Sequence, residues 1–256
     1  MSRDWKTLVG KLAERIRFQE TPVGLKYFEN RDDALNVPRV RVPNGNFTCC
    51  QIIWQSITYG WTVAVLPECP PMKYCAQVNG IYPINDEFYT GEIFMGGWFN
   101  DPENARKHHE QLDLINKGGQ KYEVFVVSPL TAGKIEDFDV CILHLNGAQA
   151  FLLMSGYLNQ NYEKLELTFG GETECSNSWI RTMLTRKPTI AIPSFAERKL
   201  GQAKENELVL AFLPDQLETA ISGLDVLYKN GLRYPIPAHG LTCDAKLGLP
   251  KSYFNF

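Results

Sequence analysis

Phe138-Asp139-Val140-Cys141-Ile142-Leu143-His144-Leu145 is a dense apolar run, and Asn146-Gly147-Ala148-Gln149-Ala150 leads from it into a helix-like stretch over 149–158. A short apolar run with β-branched residues reads as a strand, so the pair makes one strand-to-helix unit. Upstream, residues 122–127 form a second β-rich run, separated from the first by a loop through Pro129 and Gly133. Downstream, 164–169 reads as a strand, 174–184 as a helix, 189–192 as a buried strand and 207–213 as another strand. Pro214-Asp215 then starts a final helix that ends at Gly231. Such alternation predicts an α/β or α+β fold, a single mixed sheet covered by helices.

The N-terminal part fits the same plan. Trp5, Leu8, Val9, Leu12, Ile16 and Phe18 recur at helical spacing, and Val23-Gly24-Leu25-Lys26-Tyr27-Phe28 reads as a strand. Residues 30–43 read as a polar connection. A helix opens at Cys50 and ends near Gly60, followed by a short β-like run over 61–66. Asp101-Pro102-Glu103 supplies an N-cap, a first-turn proline and an acid, which predicts a helix to about Asn116. With no linker or repeat in between, residues 1–232 are expected to form a single α/β-type domain. Residues 233–256, rich in proline and aromatics, are expected to form an extended tail that packs on that domain or on a partner subunit, as in a homodimer.

Among 256 residues, 44 % are hydrophobic and 21 % charged, the composition of a globular chain with a sizeable core. Twenty-six basic residues against 29 acidic ones leave a net charge of −3, with no basic stripe for a phosphate backbone, so nucleic acid is excluded as a partner. No apolar run reaches the ~18 residues of a membrane helix, and the first residues lack the apolar core of a signal peptide. A cytoplasmic location is expected. The nucleotide signatures G-x-x-x-x-G-K-[ST] and G-x-G-x-x-G are absent, as is the nucleophile elbow G-x-S-x-G, so no nucleotide cofactor is expected. His108-His109-Glu110 lacks the spacing of a zinc-binding helix and reads as a solvated face, while His144 reads as structural.

The seven cysteines carry more information. Cys49-Cys50 stands at a loop-to-helix junction, Cys69 and Cys75 flank a proline-rich turn, and Cys175 opens a helix after Gly170-Gly171. Helix N-terminal amides favour a thiolate, and thiols offered from turns and helix starts are what an iron–sulfur cluster recruits. The spacing holds no C-x-x-C array, and buried core thiols are the competing reading. Cys141, between Val140 and Ile142, reads as core.

Several short motifs, taken in order, carry a family resemblance. Pro22-Val23-Gly24-Leu25-Lys26-Tyr27, Cys50 at a helix start, Cys75-Ala76-Gln77-Val78-Asn79-Gly80 and Tyr89-Thr90-Gly91-Glu92 are four of them. Ser128-Pro129-Leu130, Asp139-Val140-Cys141-Ile142, Asn146-Gly147-Ala148-Gln149-Ala150 and Glu174-Cys175 complete the set. The chain resembles domain-of-unknown-function family 169 over nearly its whole length. The resemblance implies an anaerobe-associated, redox-linked protein with recurring cysteines at Cys50, Cys75 and Cys175. It also implies a further cysteine-containing turn after the strand at 189–192; here that turn reads Pro193-Ser194-Phe195-Ala196-Glu197-Arg198, without cysteine.

Together these features predict a [4Fe–4S] protein, a redox or lyase-type enzyme acting on a small organic substrate. Cys50, Cys75 and Cys175 bind the cluster, and Cys49 or Cys69 completes the metal set or leaves one iron open. Glu92 and Glu174, which lie in motifs of the resemblance, are the expected catalytic carboxylates; Glu197 and Arg198 are further charged candidates. The alternative is a non-catalytic metal- or cofactor-binding protein or electron carrier, serving a redox partner protein without turnover of its own.

Overall fold

A computed structural model describes residues 3–68, 73–90, 98–115 and 122–238. In chain order the elements are α1 (Trp5–Ile16), β1 (Val23–Phe28), α2 (Arg31–Leu35), α3 (Cys49–Tyr59), β2 (Val63–Val65), α4 (Lys73–Val78), α5 (Asp86–Thr90) and α6 (Pro102–Gln111). Then follow β3 (Val124–Pro129), β4 (Val140–Asn146), α7 (Gly147–Asn161), β5 (Leu167–Thr168), a π-helical turn (Ser176–Ile180), α8 (Arg181–Thr185), β6 (Thr189–Ala191), α9 (Phe195–Lys199), β7 (Glu207–Phe212) and α10 (Pro214–Lys229).

The strands form one mixed sheet in the order β2-β3-β1-β4-β7-β6-β5. Only β5 and β6 run parallel; every other neighbouring pair is antiparallel. The apolar run at 140–146 is the central strand β4, with Ile142 opposite Val23 on one side and Ala211 on the other. Successive side chains leave a strand on opposite faces. Cys141, Leu143 and Leu145 therefore enter a core shared with α1, α7 and α10, while Val140 and Ile142 enter a second core under α3 and Trp179. The candidate site lies on this second face.

Capping sets where the site helices begin. The Thr48 side chain accepts from Gln51 N at 3.2 Å, and the Gln51 side chain accepts from Thr48 N at 2.9 Å. This reciprocal pair satisfies two otherwise unpaired donors and starts α3 at Cys49, one residue before the expected start. Asn146 and Gln149 form the same arrangement at α7.

Four short helices, α2, α4, α5 and α9, have no signal in the periodicity. Two of them rest on a single capping side chain, Asn30 for α2 and Ser194 for α9. The expected strand over 164–169 pairs only at Leu167–Thr168, because it forms the exposed edge of the sheet. The expected helix to Asn116 ends at Gln111. Residues 239–256, the greater part of the expected tail, lie outside the described residues.

On the opposite face α7 crosses α10 at Gly156 and Gly223, whose backbones touch. A Cβ at position 223 would stand 1.9 Å from the Gly156 carbonyl oxygen. Gly223→Ala is therefore expected to lower stability by about 2 kcal/mol or more, read as a drop in the urea midpoint. Gly147→Ala, where a Cβ meets nothing within 4 Å, is expected to leave the midpoint unchanged or slightly raised.

Candidate functional site

Four cysteines on three distant segments reach one cavity of ≈ 290 Å³. Cys49 and Cys50 come from the first turn of α3, Cys75 from α4, and Cys175 from the helical turn that leads into the π-helical segment. The rest of the wall includes Tyr74, Trp98, Trp179, Phe195 and Leu200, with the carboxyl groups of Glu172, Glu174 and Glu197 and one amine, Lys199.

Behind the thiols, Asn79 holds two segments together. Its amide donates to Cys75 O at 2.9 Å and to Cys49 Sγ at 3.8 Å. Its Oδ1 accepts from Tyr27 OH at 2.8 Å and from Trp179 Nε1 at 3.1 Å. Cys49 is thus turned into the core, whereas Cys50, Cys75 and Cys175 are partly exposed at the cavity.

The acidic side of the cavity comes from the turn Gly170-Gly171-Glu172-Thr173-Glu174-Cys175. Gly171 and Thr173 both take positive φ, 78° and 57°. Glycine does so freely, but the β-branched Thr173 is strained there. Asn177 pins the turn by donating to Thr173 O at 3.3 Å, and a Cβ at position 170 would stand 2.5 Å from that same amide nitrogen. The strained, pinned turn presents Glu172, Glu174 and Cys175 together to the cavity. A π-helical segment follows directly, a device often found beside functional groups.

The electrostatics of the site are those of crowded, buried acids. Burial first, then the charge of Glu197, pushes the Glu174 carboxyl well above the usual carboxylate range. Burial likewise raises the Cys50 and Cys175 thiols, helped by Glu197 and by the neighbouring cysteines. Only Cys75 is lowered, by a thiol hydrogen bond from Cys49, which is itself raised by that bond. The expectation that helix-start amides would favour thiolates at Cys50 and Cys175 is therefore reversed, because desolvation and adjacent carboxyls outweigh the amides.

Glu197, 1 % exposed, also meets His144 Nε2 at 3.4 Å. His109 is buried too, with Nδ1 2.6 Å from Phe88 O and Nε2 2.8 Å from Glu172 Oε1. The solvated face read for His108-His109 is thus corrected, since α6 packs on α5 and turns His109 inward. Periodicity held no signal for this, as the helix is polar on nearly every side.

A family model matches residues 11–223, well over half of the 256 residues. The chain belongs to domain-of-unknown-function family 169. The family is described as an uncharacterised ArCR family. Neither the curated proteins nor the solved structures offer a significant match.

In this member of family 169, Cys50, Cys75, Cys175 and Glu174 all line the cavity, and so does Cys49. Cys69 and Glu92 lie outside the described residues. Arg198 does not line the cavity and donates instead to Lys204 O at 2.6 Å. The turn at 193–198, which holds no cysteine, supplies Ser194, Phe195 and Glu197 to the wall. Cys141 is fully buried on the opposite face of the sheet, as read. Among the described residues, no group of three or more His, Cys, Asp or Glu side chains is arranged to hold a metal ion. No helix among them is long and apolar enough to cross a membrane.

The raised Glu174 carboxyl has a sign for stability. The unfolded chain loses this proton near its ordinary value of 4.5, and the folded chain holds it to higher pH. Stability from this group is thus present at low pH and falls as pH rises above 4.5, by up to ~1.4 kcal/mol per pH unit. Glu174→Gln in metal-free protein is expected to remove that slope, so its urea midpoint gains on the wild type as pH rises. Parallel curves for the two proteins would contradict the assignment.

Proposed function

We propose that the chain is an iron–sulfur protein that holds a [4Fe–4S] cluster on Cys50, Cys75 and Cys175, and that it is a cytoplasmic redox or lyase-type enzyme acting on a small organic substrate in the adjoining cavity. The observation that supports this most is the meeting of these three thiols, from three distant segments, on one cavity wall. The donor set fits in kind, since thiolates are the ligands of such clusters. As free thiols they carry raised or mutually hydrogen-bonded protons and stand apart. Gathering them as thiolates requires a cation to offset their repulsion, and binding then releases the protons.

When bound, a cluster supplies an electron or, at an iron without a thiolate, a Lewis-acid position. Cys49 and Cys69 are the candidates for a fourth thiolate; an open iron would face the cavity. Glu174 keeps its proton to higher pH than an ordinary carboxyl, which suits it to proton donation there. Trp98, Trp179, Phe195 and Leu200 give the cavity wall its apolar surface. The five described cysteines are all free, as in a reducing compartment. A carrier without turnover is the alternative; a cavity beside the thiols with room for a small molecule favours turnover over it. A redox partner protein and a homodimer belong to the same proposal.

The test is iron content in protein purified and reconstituted without oxygen. Cys50→Ala, Cys75→Ala and Cys175→Ala are each expected to lose most of their iron and to fold less stably. Cys141→Ala is expected to lose only a small buried group, at about 1 kcal/mol, and to keep wild-type iron. Full iron in Cys75→Ala, or loss of iron in Cys141→Ala, would contradict the ligand assignment.

A further inference from the structure

We propose that Glu172 is the polar anchor of this cavity, and that the ligand it serves is a small, neutral, largely apolar molecule presenting one hydroxyl or N–H to Glu172 Oε2. The inference rests on the cavity being a ligand site, as in the proposed function, and not on the cluster.

Glu172 is 5 % exposed and lines the cavity, and its two oxygens differ sharply. Oε1 is crowded, with His109 Nε2 at 2.8 Å, Tyr74 OH at 3.3 Å and His108 Nε2 at 3.5 Å. Oε2 is buried and meets no donor among the described residues. Native proteins satisfy most buried polar atoms, so an exception at a cavity wall marks a place where a ligand supplies the partner.

The protonation pattern fixes what that partner must be. The Phe88 carbonyl can only accept, so His109 Nδ1 carries a hydrogen and donates to it. One further proton lies between His109 Nε2 and Glu172 Oε1. The pair is either imidazolium with carboxylate or imidazole with carboxylic acid, and it is neutral in sum both ways. In both forms Oε2 is an acceptor only, which selects a donor on the ligand. A cation gains no net charge from this pair, and on the rest of the wall the carboxyl of Glu197 is matched by the amine of Lys199, so neither a cation nor an anion is selected.

The remaining wall is ring and aliphatic surface from Trp98, Trp179, Phe195 and Leu200. At ≈ 290 Å³ the cavity suits a single-ring or similarly small body. The strained turn keeps the anchor in place. Thr173, at φ 57°, hydrogen-bonds Tyr74 OH at 2.9 Å, so the ring beside Oε1 is fixed by the residue that follows Glu172.

The test uses two probes of matched shape, phenol and toluene, titrated into the full chain and followed by calorimetry or ligand-observed magnetic resonance. Iron is measured on the same samples. The phenol-to-toluene affinity ratio is expected to fall about tenfold from wild type to Glu172→Leu, the worth of one hydrogen bond to a buried group. Glu172→Gln, which keeps the shape and offers a weaker acceptor, is expected to lower the ratio several-fold, and it decides the matter if the leucine variant does not fold. Both variants are expected to keep wild-type iron. A ratio unchanged in the folded variants, or no binding of either probe to the wild type, overturns the anchor. Iron-free protein with the expected change in ratio would overturn the cluster and leave the anchor standing.

Discussion

The thiols of Cys50, Cys75 and Cys175 and the carboxyls of Glu172, Glu174 and Glu197 surround one small cavity, and they cannot all give up their protons there. Burial weakens the screening between them, so each charge raises the cost of the next. Burial favours the protonated forms of Glu174, Cys50 and Cys175, Cys49 lends its thiol hydrogen to Cys75, and Glu172 meets His109. A bound cation is the other physical solution to the same crowding. On the proposed reading, a bound cluster would exchange those protons for positive charge.

The scaffold bears the cost of holding such groups inside. β4 and its neighbours form a rigid sheet buried on both faces, and the helices on one face meet at the Gly156–Gly223 crossing without contributing to the chemistry. The other face carries the less regular elements: the short helices α4, α5 and α9, the π-helical segment, and a turn with Thr173 at positive φ. Short and irregular elements gather on the face where the ionisable groups meet, and the regular sheet supports them.

Most of the sheet could be read from the residues alone, because Val23–Phe28, Val140–Asn146 and Glu207–Phe212 are apolar enough to leave no other element possible. The five-residue helices α2 and α9 were not, since a single Asn or Ser cap over one turn looks the same as a loop. At the site, Cys50, Cys75, Cys175 and Glu174 were singled out as residues, but their meeting depends on how three separate segments fold over the sheet. His109 was misread because a polar helix shows no inward face until its neighbour α5 is in place, and Glu172 went unread because it lies in a turn, where no periodicity marks an inward side chain. The environment of the thiols was misjudged, because helix amides are visible in a sequence and the burial that overrides them is not.

The most direct measurement of the central claim is iron and acid-labile sulfide per chain, with an absorbance spectrum, on the wild-type protein purified without oxygen. The account predicts brown protein with about four iron and four sulfide per chain, the stoichiometry of a [4Fe–4S] site. Colourless, metal-free protein that resists reconstitution would contradict it and leave a thiol-lined cavity that binds its ligand without a cluster.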